Sequence, residues 1–137
     1  MLAPKRAKYR KQFRGRMKGL SFRGSDLNFG TVGLKATTAG WVSARQIEAA
    51  RKAVTHYTQK GGRSWIRIFP DKPISKKPAE TRMGGGKGDT FGYVAVIRPG
   101  RVLFEMTGIA REEAYKALHL AGSKLSIRTK IIEKENQ

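Results

Sequence analysis

Ser43-Ala44-Arg45-Gln46-Ile47-Glu48-Ala49-Ala50-Arg51-Lys52-Ala53-Val54-Thr55-His56-Tyr57-Thr58 holds the clearest structural signal in the chain. Ser43 stands three residues before Gln46, the spacing at which a helix caps itself reciprocally. Ile47, Ala50, Val54 and Tyr57 then recur at helical intervals and form one apolar stripe. Arg45, Arg51 and Lys52 point elsewhere. They serve either as a solubilising face or as contacts to an anionic partner. Gly61-Gly62 supplies the glycine stop of a helix C-terminus.

Downstream, residues 64–69 (Ser-Trp-Ile-Arg-Ile-Phe) read as a strand halted by Pro70. Residues 71–90 hold two prolines and four glycines together with Lys72, Lys76, Lys77, Arg82 and Lys87. An unstructured stretch of that length is uncommon inside a compact domain, and it predicts a protruding basic loop. Residues 91–97 predict a buried strand. Arg98-Pro99-Gly100-Arg101 has turn chemistry, and residues 102–106 are expected to return as the second arm of a hairpin. Glu112 and Glu113 suit a helix N-terminus, and Ala114, Ala117, Leu118, Ala121 and Leu125 continue as an apolar stripe. Gly122 is a poor helix former inside that pattern. Alternation at Ile127, Thr129 and Ile131 predicts a last strand.

Upstream, Val32, Leu34 and Ala36 share one face of an extended segment within 27–38. Residues 1–24 are different in kind. They contain nine basic residues: Lys5, Arg6, Lys8, Arg10, Lys11, Arg14, Arg16, Lys18 and Arg23. The first acid is Asp26. Such a segment cannot bury enough apolar surface to fold alone. The interleaved Tyr9, Phe13 and Phe22 favour an arm that orders on RNA, with cations on phosphates and rings on bases, over a merely solvating tail. The expected organisation is therefore a basic extension over 1–24 and one globular domain over 25–137 carrying the loop 71–90. Strands and two helices in mixed order, without regular β-α-β alternation, place the fold in the α+β class.

The 137 residues carry 29 Lys plus Arg against 10 Asp plus Glu, a formal net charge of +19. Self-repulsion of that size opposes compaction unless a polyanion is present. Nucleic acid is the leading partner, and an anionic membrane surface the second. No apolar run approaches the ~18 residues of a membrane span, and no apolar core follows the basic start to make a secretory signal. The absence of cysteine removes thiol catalysis, disulfides and cysteine-based metal sites.

No catalytic constellation stands out. A phosphate loop ending at Gly86-Lys87 would need glycine at 81 and a hydroxyl at 88, where the chain has Thr81 and Gly88. His56 and His119 lack a second ligand at metal spacing. The reading is a non-enzyme with no cofactor, no metal and no small-molecule substrate. The rivals are a nucleotide-using enzyme built on the Gly-rich loop and an architectural DNA- or membrane-binding protein. A flexible arm and a long loop on a small core suit irregular folded RNA better than a duplex groove, and no helix-turn-helix, zinc-finger or basic-zipper pattern is present.

Several blocks carry a family resemblance. They are Met1-Leu2, Pro4-Lys5-Arg6, Lys8, Arg10-Lys11; Phe29-Gly30 and Gly33-Leu34-Lys35-Ala36; Ala44 through Arg51; Ile66-Arg67-Ile68-Phe69-Pro70-Asp71-Lys72-Pro73-Ile74; Lys77-Pro78; and Arg82-Met83-Gly84, Gly86-Lys87-Gly88. In this order they resemble bacterial large-subunit ribosomal protein sixteen, a universal family with an archaeal and eukaryotic tenth-e counterpart. The resemblance runs from Met1 to about residue 132.

It implies a hammerhead-type sheet or part-barrel with two packed helices. It implies large-subunit ribosomal RNA, tRNA and neighbouring ribosomal proteins as partners, on a cytoplasmic or organellar ribosome and away from membranes. The rRNA-binding residues expected are Lys5, Arg6, Lys8, Arg10, Lys11, Arg14, Arg16, Lys18, Arg23, Arg45 and Arg51. The arm residues Pro4, Lys5, Arg6, Lys8, Arg10 and Lys11 and the loop residues Lys76, Lys77, Arg82, Met83 and Lys87 match the segments that, in the family, reach toward tRNA and the peptidyl-transferase region and help organise the aminoacyl-tRNA site.

Overall fold

A computed structural model of the chain describes residues 2–5, 19–21, 23–58, 61–75 and 90–134. The described elements run, in chain order, β1 (Val32–Ala36), β2 (Gly40–Ser43), α1 (Ala44–Thr58), β3 (Arg63–Ile66), β4 (Lys72–Ser75), β5 (Thr90–Ile97), β6 (Val102–Thr107), α2 (Arg111–Ser123) and β7 (Thr129–Glu133). The class is α+β, with two helices packed on each other and two antiparallel sheets.

The cap of α1 forms as its spacing predicts. The Gln46 amide donates to Ser43 Oγ at 3.1 Å, and the Ser43 amide donates to Gln46 Oε1 at 2.9 Å. Two otherwise orphaned helix-end donors are satisfied by this exchange. Ser43→Ala should lower stability by about 1 kcal/mol, read as a lower midpoint in thermal or urea unfolding. An unchanged midpoint would show that the cap contributes nothing measurable.

Ile47, Ala50 and Val54 are buried, and Tyr57 packs against the core. On α2 the buried stripe is Ala114, Ala117, Leu118 and Ala121. The two stripes meet Val32, Leu34, Phe104 and Met106 from the first sheet in one core. Each large aliphatic or aromatic side chain buried there contributes about 1.5–3 kcal/mol. Gly122, out of place by helix propensity, has a packing reason. A Cβ there would stand 2.7 Å from Thr129 Oγ1 and 3.7 Å from the Leu34 methyls, so the glycine lets α2 lie close on β7 and β1.

The first sheet has strand order β3-β6-β1-β7, and the second β2-β5-β4. This corrects two expectations. Residues 91–97 and 102–106 do not form a hairpin: β5 pairs with β2 and β4, and β6 with β1 and β3. The turn between them explains why. Gly100 donates its amide to Ala36 O at 2.8 Å, and the Ala36 amide donates to Arg101 O at 2.8 Å. The chain is thus handed to β1 as it leaves β5, and β6 enters the other sheet. The strands consequently make two separate sheets among the described residues, not a part-barrel.

A third difference lies at β4. Lys72–Ser75 falls where the sequence predicts the start of the basic loop, yet it pairs with β5. Pro73 has no amide to donate, and β4 is an edge strand, the one sheet position where that is tolerated. The remaining loop residues 76–89 lie outside the described residues.

Candidate nucleic-acid interface

One face of the first sheet carries α2, on which α1 packs in turn. The other is covered by residues 26–30. Register places Gly33 opposite Glu105 and Glu105 opposite Trp65, so the three share that second face. Leu27 lies over Gly33, close enough that a Cβ at Gly33 would be 2.4 Å from a Leu27 methyl.

Glu105 is fully buried, the only buried charged residue among those described. Its Oε1 accepts the amides of Asn28, Phe29 and Gly30 at 2.9, 3.0 and 3.0 Å. Its Oε2 accepts Arg67 Nη1, which also donates to Asp26 O at 3.2 Å. Desolvation by burial pushes the carboxyl toward its neutral form. The Gly30 and Phe29 amides and the Arg67 guanidinium outweigh it and hold the group below the ordinary glutamate range. Gly30 is required here by contact: a Cβ would sit 2.6 Å from the Met106 carbonyl oxygen.

This buried carboxylate fixes a row of side chains on the surface. The Phe29 ring stacks on Trp65 with centroids 5.8 Å apart and planes 26° from parallel. Arg67 lies over the Phe29 ring at 5.3 Å, and Arg63 over the Trp65 ring at 5.7 Å. The result is a ladder of Arg67, Phe29, Trp65 and Arg63. Phe29 is 58% exposed, although it is a phenylalanine.

A second cationic region surrounds the turn at 98–101. Ser21 donates its amide to Pro99 O at 2.9 Å, and the Val102 amide donates to Gly24 O at 2.8 Å, so Ser21 and Gly24 both lie on this turn. Arg101 spans Arg23 O at 3.2 Å and Arg67 O at 2.9 Å. Its guanidinium is a strut between backbone segments. Arg23 and Arg98 are exposed beside it, next to a cleft of about 450 Å³ lined in part by Ser21, Phe69, Asp71 and Val96.

The residues expected from sequence to bind RNA divide three ways. Lys5, Arg23 and Arg45 are described and exposed. Arg51 is described but engaged: its Nη2 and Nε donate to the Glu48 carboxylate at 2.5 and 3.1 Å. That hydrogen bond, the largest influence, holds Glu48 below its usual range. Arg51 therefore offers less to a phosphate than Arg45 does. Arg6, Lys8, Arg10, Lys11, Arg14, Arg16 and Lys18, and the loop residues Lys76, Lys77, Arg82, Met83 and Lys87, lie outside the described residues.

The ladder is absent from the sequence-based expectations. Its trace was there in Arg63, Trp65 and Arg67, whose period of two puts all three on one face of an extended chain. Of the two cations on that face, Arg63 is exposed, whereas Arg67 turns its charge to Glu105. What could not be read was Phe29, brought to Trp65 only by Glu105.

The chemistry on offer is cation and ring against polyanion. Guanidinium groups make paired hydrogen bonds to phosphate, and rings stack on bases. Among the described residues no group of three or more histidine, cysteine or acidic residues is placed to hold a metal ion. No described helix is long and apolar enough to cross a membrane.

The family model described as ribosomal protein L16p/L10e matches residues 4–132, nearly the whole sequence. The match covers both sheets, both helices, the ladder, and the two basic segments at 4–24 and 76–89. The chain belongs to the ribosomal protein L16p/L10e family, structural RNA-binding proteins of the large ribosomal subunit.

Proposed function

We propose that the chain binds large-subunit ribosomal RNA chiefly through its basic arm and loop, and that it helps organise the aminoacyl-tRNA site and the peptidyl-transferase surroundings, touching tRNA through the same two segments. The observation that carries this is where positive charge is concentrated. Nine cations precede the first acid in the chain, and Lys76, Lys77, Arg82 and Lys87 crowd one Pro- and Gly-rich interval.

The positions of the two roots support the reading. Ser21 and Gly24 lie at the end of β5 marked by Ile97 and Arg98, and the loop departs where Ser75 pairs with Thr90 at its other end. A strand of that length separates them by roughly 25 Å. The folded part thus acts as a spacer that offers cationic segments at two places on an RNA surface. Phosphate contacts there set affinity and orientation, without reading sequence. The chain's role is structural, and the chemistry of translation belongs to RNA.

The loop's share is tested by changing Lys76, Lys77, Arg82 and Lys87 together to alanine and measuring aminoacyl-tRNA binding to ribosomes carrying the variant. Binding should weaken, and its dependence on log salt should flatten by roughly 0.9 for each phosphate no longer neutralised. Ribosomes that assemble and bind tRNA normally with this variant would remove the loop from the account.

A further inference from the structure

We propose that the Arg67-Phe29-Trp65-Arg63 ladder is a stacking platform for an unpaired base of the ribosomal RNA. The inference rests on the RNA-binding reading above and adds a site to it, one outside the arm and the loop. The incoming base lies on the indole of Trp65 from the Arg63 side, and the Arg63 guanidinium moves onto the adjoining sugar-phosphate.

Three observations carry it. The first is cost. A phenylalanine 58% exposed beside a half-buried tryptophan leaves apolar ring surface in water that a core position would have hidden. The second is rigidity. The amides of residues 28–30 are pinned by a buried carboxylate, the Thr31 amide donates to Met106 O at 2.9 Å, and there is no room for a side chain at Gly30. A ring held this way loses little freedom on binding, which is what a stacking anchor requires. The third is openness with the right charge. β3 stands at the edge of its sheet among the described residues, Trp65 is only half-buried, and the exposed Arg63 lies over its ring, 5.7 Å from the centre. The exposed Arg63 cation at the open end of the ladder favours a strand that brings phosphates with its bases, while Arg67 spends its charge on Glu105. Stacking of bases on protein rings flanked by guanidinium groups is tolerant of sequence and suits the unpaired segments of a folded RNA.

The test uses the full chain and two probes of equal length and charge, a single-stranded oligouridylate and an abasic ribose-phosphate strand. The wild-type protein should prefer the base-bearing strand. Phe29→Ala and Trp65→Leu should each weaken oligouridylate binding about tenfold. They should leave binding to the abasic strand, and the salt dependence, as in wild type. Trp65→Phe, which keeps a flat ring, should restore most of the preference and shows that the fold is intact. Wild-type affinity for oligouridylate in both disruptive variants overturns the platform. So does an equal loss on both strands, which marks a folding defect. If the wild-type chain binds neither strand at low salt, the RNA-binding reading fails first, and the platform falls with it.

Discussion

Glu105→Ala should destabilise the protein by about 3–5 kcal/mol, as much as emptying a large core position. The carboxylate is wholly shielded from water and is matched by donors on every side. Its removal strands Arg67, whose side chain is only 12% exposed, as a charge without its counter-ion. It also orphans the amides of Asn28, Phe29 and Gly30, which lie against the sheet. Each buried donor left unpaired costs about 1–3 kcal/mol unless the segment lifts into water. Lifting would uncover Gly33 and Leu27 and dismantle the Phe29–Trp65 stack. Urea unfolding reads the loss directly, and a midpoint within error of wild type would contradict the account of this site.

The same group gives a pH signature. Its folded-state pKa lies below the unfolded value, because amide and guanidinium donors overcome the desolvation that would raise it. The stabilisation is therefore complete above the unfolded glutamate value of about 4.3 and is lost as pH falls through the lower folded value. Wild-type stability should drop in acid by more than that of Glu105→Gln, which has no proton to take up there. Parallel acid curves for the two proteins would deny the carboxylate this role.

What was legible in the sequence was local. Ser43 and Gln46 are one helical turn apart, so their exchange of hydrogen bonds is written in four residues. The stripes on α1 and α2, and the alternation of Val32, Leu34 and Ala36, report which side faces the core whatever that core is. Sheet membership is a different kind of fact. Whether residues 102–106 pair with 91–97 or with 32–36 depends on Ala36 meeting Gly100 and Arg101, more than sixty residues away along the chain. Strand β4 was obscured by Pro73, which is compatible with a strand only at a sheet edge. The sequence shows no edges.

The candidate site splits along the same line. The two basic segments are visible as composition, because cations clustered in sequence remain clustered in space. The ladder is not visible, because it depends on an acid inside the apolar run Val102-Leu103-Phe104-Glu105-Met106. By composition Glu105 is one of ten acids with no evident companion. Its companions are amides 75–77 residues earlier and a guanidinium 38 residues earlier. Family resemblance bridges part of this gap, since Phe29-Gly30 and Ile66-Arg67 lie in blocks that carry it. It does not say that those blocks touch.

The second large effect concerns the arm. Replacing Lys5, Arg6, Lys8, Arg10 and Lys11 with alanine removes five of the nine cations that precede the first acid. If each meets a phosphate, the slope of log affinity against log salt should become shallower by roughly 0.9 per phosphate, about 4 to 5 in all. Affinity near physiological salt should fall by orders of magnitude, whereas the unfolding midpoint should scarcely move, since Lys5 at least is exposed. Weaker binding with an intact fold separates this variant from Glu105→Ala, in which both decline.

The most direct measurement is sedimentation of wild-type and arm-variant protein with large ribosomal subunits over a series of salt concentrations. Attraction between the basic segments and ribosomal RNA predicts that wild-type protein travels with the subunit at low salt and is stripped progressively as salt rises, and that the arm variant is released at markedly lower salt. Wild-type protein remaining at the top of the low-salt gradient would contradict it, and so would identical release curves for the two proteins.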